Sequence, residues 1–284
     1  MWKACLAGLA SVGAGLFLRS EYEKTHFVTE HFRVCSDKIK EGERNFVFLT
    51  DLHGREFGRE NGKLLQEIDR IHPDGVLIGG DMMVCKKTCD LRVALTLTER
   101  LAAKYPVYYA NGNHEERMKR EREKYGDQYP YFLEQLKKAG VHYLSDEGVC
   151  FGTDLRITGC NLDERYYRHH FTVPKLQKGE LSRAGEADRE RFQILLLHSP
   201  LFFEDCCRWG ADLTLCGHFH GGTIRLPFLG GLISHDLELF PDYTAGLYEV
   251  NGSVLFVSRG LGSSGASFRL FNRPEVVVLT LHRG

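Results

Sequence analysis

From Asn45 onward the chain alternates short apolar runs with longer amphipathic ones. Phe46–Leu49, Gly75–Ile78, Pro106–Ala110, Ile194–Leu197 and Leu213–Leu215 have the length and composition of strands buried on both faces. Between them, Leu64–Ile71, Leu91–Lys104 and Phe132–Ala139 carry apolar residues at helical spacing. In the second of these, Leu91, Ala94, Leu95, Leu97 and Leu101 fall on one side. Strands alternating with such helices predict βαβ units and a largely parallel sheet. Further on, Leu155–Gly159, Leu247–Val250, Val254–Val257 and Val276–Leu279 read as strands, and 162–189 as a polar, irregular surface. The fold class is α/β. A single two-sheet domain over 45–284 is the economical reading.

Ahead of that domain, Ala4–Leu18 is an uncharged run between Lys3 and Arg19. It is short for a spanning helix, which needs about 17–25 residues, but fits the apolar region of a signal sequence. Arg19 follows too closely to leave a clear small-x-small cleavage site. Residues 1–20 are therefore expected to be a membrane anchor or signal segment, with an uncleaved anchor preferred and a buried helix as the alternative. Residues 21–44 read as a charged connector, with the alternating His31–Cys35 as an edge strand.

Composition narrows the picture a little. A chain of 284 residues, 43% hydrophobic, can bury a large core. The net charge of −1 gives no electrostatic case for a nucleic-acid partner. Nine cysteines without Cys-x-x-Cys spacing do not form a disulfide framework. Cys85 with Cys89, or Cys206 with Cys207, could be metal or redox pairs, but ordinary thiols in a reducing compartment are the reading adopted. That usage favours the cytoplasmic face of a membrane, and a monomer is expected.

The candidate chemistry sits where the apolar runs end. Asp51 and His53, Asp81, Asn113 and His114, His198, and His218 and His220 each lie just past the C-terminal end of a predicted strand. In open α/β sheets that edge is where ligand crevices form. Each motif alone has an ordinary explanation: Asp-x-His caps helices, Gly-Gly-Asp makes turns, and His198 before Ser-Pro suits a buried histidine. Five such motifs on five strand ends point instead to a metal cluster. The set is nitrogen and oxygen without thiolate, which suits manganese, iron or zinc.

In order, Asp51-x-His53, Gly80-Asp81, Gly112-Asn113-His114-Glu115, His198 and Gly217-His218-x-His220 resemble the motif series of calcineurin-like metallophosphoesterases. The stretches Gly221–Phe228 and Val257–Gly262 look like a bacterial branch of membrane-associated phosphodiesterases and UDP-2,3-diacylglucosamine hydrolase-like proteins. The resemblance spans about Asn45 to Leu281 and implies a four-layer αββα sandwich around two divalent metal ions, with Mn2+ favoured and Fe or Zn possible. By motif position, Asp51, His53 and His220 would hold one ion, and Asn113, His198 and His218 the other. Asp81 would bridge them, and His114 would protonate the leaving oxygen. Glu115 would orient His114 or cap the following helix.

The implied activity is hydrolysis of phosphodiester or diphosphate bonds, with a nucleotide-sugar lipid such as UDP-2,3-diacylglucosamine as the implied substrate class. The alternatives are a broad phosphodiesterase or monoesterase acting on envelope or nucleotide phosphates, and a non-catalytic metal-binding scaffold. Asp81-Met82-Met83-Val84 lacks the Asp-Arg-Gly that the serine/threonine protein phosphatases carry after the second motif, and Phe219 replaces an expected threonine. Arg55, Arg225 and Arg259 are candidate phosphate contacts, since guanidinium forks suit phosphate oxygens. Tyr166, Tyr167, His169 and His170 read as a surface loop or a cover over the site.

Overall fold

A computed structural model describes residues 2–167, 174–177, 179–222, 224–226, 230–233, 243–263 and 268–284. Fourteen strands are described: β1 (Val28–Cys35), β2 (Arg44–Leu49), β3 (Gly75–Ile78), β4 (Val107–Ala110), β5 (His142–Leu144), β6 (Glu147–Phe151), β7 (Leu155–Gly159), β8 (Phe192–Leu196), β9 (Leu213–Cys216), β10 (Ile224–Leu226), β11 (Gly230–Ile233), β12 (Gly246–Val250), β13 (Ser253–Val257) and β14 (Glu275–His282). One six-stranded sheet runs β1-β14-β2-β3-β4-β5 and another β12-β13-β9-β8-β7-β6, with β10 and β11 as a separate pair. Within the first, β2 through β5 are parallel. Within the second, β13, β9, β8 and β7 are parallel, while β12 and β6 run antiparallel at its edges.

The two-residue alternation of strand side chains sorts the core into layers. Phe46, Phe48, Leu77 and Tyr108 on the first sheet meet Ile157, Ile194, Leu215 and Phe256 on the second. Their neighbours Val47, Leu49, Val76 and Ile78 face outward onto α2 (Gly62–Ile71), α3 (Arg92–Ala102) and, past α4 (Asn113–Arg120) and the short α5 (Arg122–Tyr125), α6 (Gln128–Lys138). On the far side, Leu195, Cys216, Leu255 and Val257 pack under Leu181, Phe202 and α7 (Phe203–Trp209). Helix, sheet, sheet, helix: the four-layer αββα sandwich is present.

The expected membrane anchor is overturned. Residues 2–25 form one helix, α1 (Trp2–Thr25), and no helix among the described residues is long and apolar enough to cross a membrane. The uncharged run is too short, and the last two turns are charged. Those turns are docked on the domain, with Ser20 and Glu23 wholly buried. The Ser20 hydroxyl accepts the Arg269 amide at 3.0 Å and the Glu23 carboxylate accepts the Asn272 amide at 2.8 Å. The stretch 21–44 holds the end of α1 and the edge strand β1, which pairs in parallel with β14 from Val28 to Cys35. Cys85 and Cys89, read as free thiols, form a disulfide.

Candidate metal centre

Every candidate ligand leaves a strand end at the same rim of the sandwich. Asp51 and His53 follow β2, Asp81 follows β3, Asn113 follows β4, His198 follows β8, and His218 and His220 follow β9. Adjacent turns brace one another through the backbone. The amides of Asp51 and His53 donate to the carbonyls of Gly80 and Asp81 at 2.9 and 3.0 Å, and the Gly217 amide donates to the His198 carbonyl at 3.1 Å. Asp51, His53, Asp81, His218 and His220 all have positive φ, between 49° and 70°. Non-glycine residues rarely adopt that conformation, although Asp and His tolerate it better than most. It turns each donor back over the rim instead of along the strand.

The approach of the turns is close enough to require glycine. A Cβ on Gly80, at φ 88°, would stand 1.9 Å from the Gly112 amide nitrogen. A Cβ on Gly217 would stand 2.1 Å from Asp51 Oδ2.

The donor atoms converge in three overlapping groups: Asp51, His53 and His220; His53, Asp81 and His114; and Asp81, His198 and His218, each within 4.8 Å of one another. His53 Nε2 lies 3.2 Å from His220 Nε2, His198 Nε2 lies 3.3 Å from Asp81 Oδ2, and His53 Nε2 lies 3.6 Å from Asp51 Oδ1. Metal–ligand bonds of roughly 2.0–2.2 Å put neighbouring donors about 3.0–3.6 Å apart, so these spacings fit shared ions. His198 donates from Nδ1 to the Gly79 carbonyl at 2.8 Å, which turns its Nε2 lone pair toward the cluster. His198 Nε2 and Asn113 Oδ1 are buried without a hydrogen-bond partner among the described residues. Buried polar atoms left without a protein partner are what a metal site requires, and the thiolate-free donor set fits hard or borderline divalent ions.

The electrostatics match a site built for cations. Burial would push the Asp51 and Asp81 carboxyls up, but the surrounding imidazoles outweigh it and hold both well below the usual carboxylate range. Burial likewise opposes charge on His198, yet Asp81 and Asp51 raise it to about 10. His114 differs. Burial, only partly opposed by Asp81, pulls it down to about 4, so its ring is neutral at pH 7.

Glu115 does not reach the His114 ring. Its wholly buried carboxylate accepts the amides of Asp81 at 2.9 Å, Met82 at 3.1 Å and Gly112 at 3.0 Å, and the Tyr109 hydroxyl at 2.7 Å. It therefore caps α4 and anchors the Asp81 turn. The His114 ring is oriented by the Cys85 amide, which donates to Nδ1 at 2.9 Å.

The arginine candidates diverge. Arg259 is engaged by Glu275 at 2.6 Å and by Glu30, tying the end of β13 to β14 and β1. Arg225 donates to the Gly221 carbonyl at 3.2 Å. Arg55 is half-buried, and burial lowers its pKa. Tyr167 packs edge-on against His218 at 5.1 Å, covering that side of the cluster, while Tyr166 is buried and donates to Glu180. His169 and His170 lie outside the described residues.

Two supports were not visible in the motifs. Arg269 is buried and donates to the carbonyls of Arg259 at 2.9 Å and Gly262 at 2.6 Å, bracing the loop whose Gly262 amide bonds the Asp51 carbonyl. Asn272 donates to the carbonyls of His220 at 2.8 Å and Gly222 at 2.6 Å.

Comparison with known proteins agrees with this geometry. The calcineurin-like phosphoesterase family profile matches residues 44–222. Similar proteins include the uncharacterized metallophosphoesterase YkuE of Bacillus subtilis (strain 168), 28% identical over 99% of this chain and 94% of its own. An uncharacterized metallophosphoesterase of Aquifex aeolicus (strain VF5) is 27% identical over 91% of this chain and 93% of its own. The phosphodiesterase YaeI of Escherichia coli (strain K12) is 26% identical over 83% and 81%. With the family profile covering more than half its length and the donor cluster in place, this chain belongs to the calcineurin-like phosphoesterases and is a metal-dependent phosphoester hydrolase.

Proposed function

We propose that this chain hydrolyses phosphodiester or diphosphate bonds at a two-ion centre. Asp51, His53 and His220 would hold one ion, Asn113, His198 and His218 the other, with Asp81 between them. The observation that carries this reading is the convergence of nitrogen and oxygen donors on one rim, with Asp81 common to two donor groups and with His198 Nε2 and Asn113 Oδ1 buried without a partner among the described residues. Bound divalent ions supply positive charge for the phosphoryl oxygens and acidify water as the nucleophile.

The chain's own residues do the rest. The amides of His114 and His218 donate to Asp81 at 2.8 Å and to Asp51 at 3.1 Å, fixing both carboxylates before any ligand arrives. Because the Cys85 amide occupies His114 Nδ1, the ring proton of the neutral imidazole sits on Nε2. That N–H donates a hydrogen bond to the leaving oxygen as it gains charge. Tyr167 excludes water beside His218.

Beyond His53 a cavity of about 500 Å3 is lined by Gly54, Val84, Lys86, Lys87, Thr88 and Asp90. It leaves room for a second substituent on phosphorus, and the two lysines favour an anionic one, which supports diesters and diphosphates over simple monoesters. UDP-2,3-diacylglucosamine, the substrate class that the sequence resemblance implies, is the diphosphate to try after model diesters.

The test is manganese-loaded protein assayed on bis(p-nitrophenyl) phosphate beside p-nitrophenyl phosphate, with metal counted per chain. Two ions and diester turnover are expected, with a loss of roughly 100-fold or more in Asn113→Ala, and in His114→Ala a loss much larger on an alkyl diester than on the p-nitrophenyl one. Monoester turnover alone overturns the substrate class. No turnover by a folded, metal-loaded chain overturns the catalytic reading.

A further inference from the structure

The stretch that follows Asp81 is the part of the site that the motif series does not explain. Met82 and Met83 are fully buried in the outer core. The chain then rises to Cys85 and returns at Cys89, the two joined by a disulfide with their Cα atoms 4.5 Å apart. Lys86, Lys87 and Thr88 form its exposed apex over the cleft. The loop is fastened on its other side by α4 to α6. Arg117 donates to the Cys85 carbonyl at 3.0 Å, Tyr125 to the Lys86 carbonyl at 3.2 Å, and Gln128 to the Cys89 carbonyl at 3.1 Å. Cys89 Sγ lies 3.7 Å from the Met118 sulfur, inside the core.

What this loop delivers to the site is one bond, from the Cys85 amide to His114 Nδ1 at 2.9 Å. That bond selects between two tautomers. With an amide donor on Nδ1, the neutral ring carries its proton on Nε2 and can donate to a leaving oxygen; the other tautomer cannot. The neighbouring carboxylate offers no substitute, because all four of its hydrogen bonds go to Asp81, Met82, Gly112 and Tyr109.

We propose that the disulfide-closed loop Cys85–Cys89 is the positioning element for His114, and that opening the disulfide disables hydrogen-bond donation to the leaving group while leaving the donor cluster in place. The inference rests on His114 serving the leaving oxygen. Opening is a two-electron reduction. A dithiol is oxidised to its own disulfide, the Cys85–Cys89 S–S bond breaks, and each sulfur takes up one proton. A loop of five residues without its cross-link loses much of the conformational restriction that holds the Cys85 amide in register.

The proposal predicts a selective loss. A diester with a good leaving group, such as p-nitrophenolate, needs little help at the departing oxygen, whereas an alkyl ester needs much. The Cys85→Ser/Cys89→Ser variant, saturated with manganese, should lose about tenfold or more in kcat on an alkyl diester and less than about threefold on the p-nitrophenyl diester. KM should hold on both. Wild-type protein should show two fewer free thiols in denaturant than its nine cysteines.

A second readout needs no metal or turnover. Imidazole 15N shifts of His114 in metal-free protein at neutral pH should report the Nε2–H tautomer in the oxidised chain. They should move toward a tautomer mixture after treatment with dithiothreitol.

His114→Asn separates the two levels of the argument. If it lowers alkyl and aryl ester hydrolysis equally, the leaving-group role of His114 fails. If it discriminates and the serine variant does not, or if the 15N shifts ignore reduction, the loop proposal fails alone. Equal losses on both esters in the serine variant would also overturn it, because they would indicate general damage to the cluster.

Discussion

Removing the Glu115 carboxylate tests whether the Asp81 turn is held from behind. Its two oxygens accept four hydrogen bonds in a site with no solvent access, three of them from backbone amides. In Glu115→Gln one side-chain oxygen becomes an NH2 group. The least damaging placement turns that NH2 toward Tyr109, whose hydroxyl can rotate to accept from it. The Met82 amide, which shares that oxygen, is then left without an acceptor. A buried orphan donor costs about 1–3 kcal/mol, which in a chain of this size lowers the melting temperature by roughly 2–8 °C. Glu115→Ala orphans three amides and opens a cavity, so its cost of roughly 4–7 kcal/mol approaches the whole stability of many domains. The assay is thermal unfolding of metal-free protein by calorimetry, with manganese affinity measured on the same samples. Gln should melt a few degrees low and bind metal at least several-fold more weakly, while Ala should fold poorly or not at all. A Gln variant that melts and binds like wild type would refute the reasoning.

Three further outcomes follow from the same geometry. Gly217→Ala places a Cβ 2.1 Å from Asp51 Oδ2 and 2.5 Å from Thr50 Oγ1, so metal affinity should fall by about tenfold or more; calorimetric titration with manganese would show this, and unchanged affinity would contradict it. In metal-free protein His198, raised to about 10, is protonated at pH 7. An ion must displace that proton, so metal binding between pH 6 and 8 should release close to one proton and strengthen about tenfold per pH unit, as read from titrations in buffers of different ionisation enthalpy. Asp154 is buried, accepts the amides of Lys40 and Glu41 at 2.5 and 2.9 Å, and pairs with Arg44 at 2.7 Å. Burial opposes its ionisation, but these contacts outweigh it and hold its carboxyl below the ordinary value. A depressed folded pKa gives stability that is present above about pH 4 and is lost as pH falls further. Asp154→Ala should therefore cost about 3–5 kcal/mol at pH 7 and distinctly less at pH 3, by denaturant unfolding.

The strands and the clustered donor residues were readable for one reason: both leave local signatures. Phe46–Leu49 and Gly75–Ile78 are buried on both faces, so their apolar runs are unbroken and the polar donors at their ends stand out. β6 was missed because its residues are exposed or half-buried without a clean alternation, and α7 because it spans fewer than two turns. The N-terminal run was misread because composition records only that Ala4–Leu18 lacks charge. It does not record that Ser20 and Glu23 are buried against residues some 250 positions later. Cys85 and Cys89 raised the same difficulty, because a spacing of four residues does not specify a turn that brings two Cα atoms within 4.5 Å. Arg269 and Asn272 carry no motif at all. They act on backbone carbonyls, which every residue possesses.

That division explains how the rim tolerates its own backbone. Five donor-bearing residues sit at positive φ, a conformation that costs roughly 1–3 kcal/mol each and persists only where the surroundings over-determine it. The surroundings here are the cross-bracing bonds: Asp51 to Gly80, His53 to Asp81, Gly217 to His198, and Gly262 back to Asp51. Arg269 pins the 259–262 loop and Asn272 pins the His220 turn, and α1 holds both of them through Ser20 and Glu23. The N-terminal helix is thus connected to the donor cluster by two hydrogen-bonded steps, Glu23 to Asn272 and Asn272 to the His220 carbonyl. Through the buried Ser20 and Glu23, its last turns belong to the architecture that keeps the donors bent toward one another.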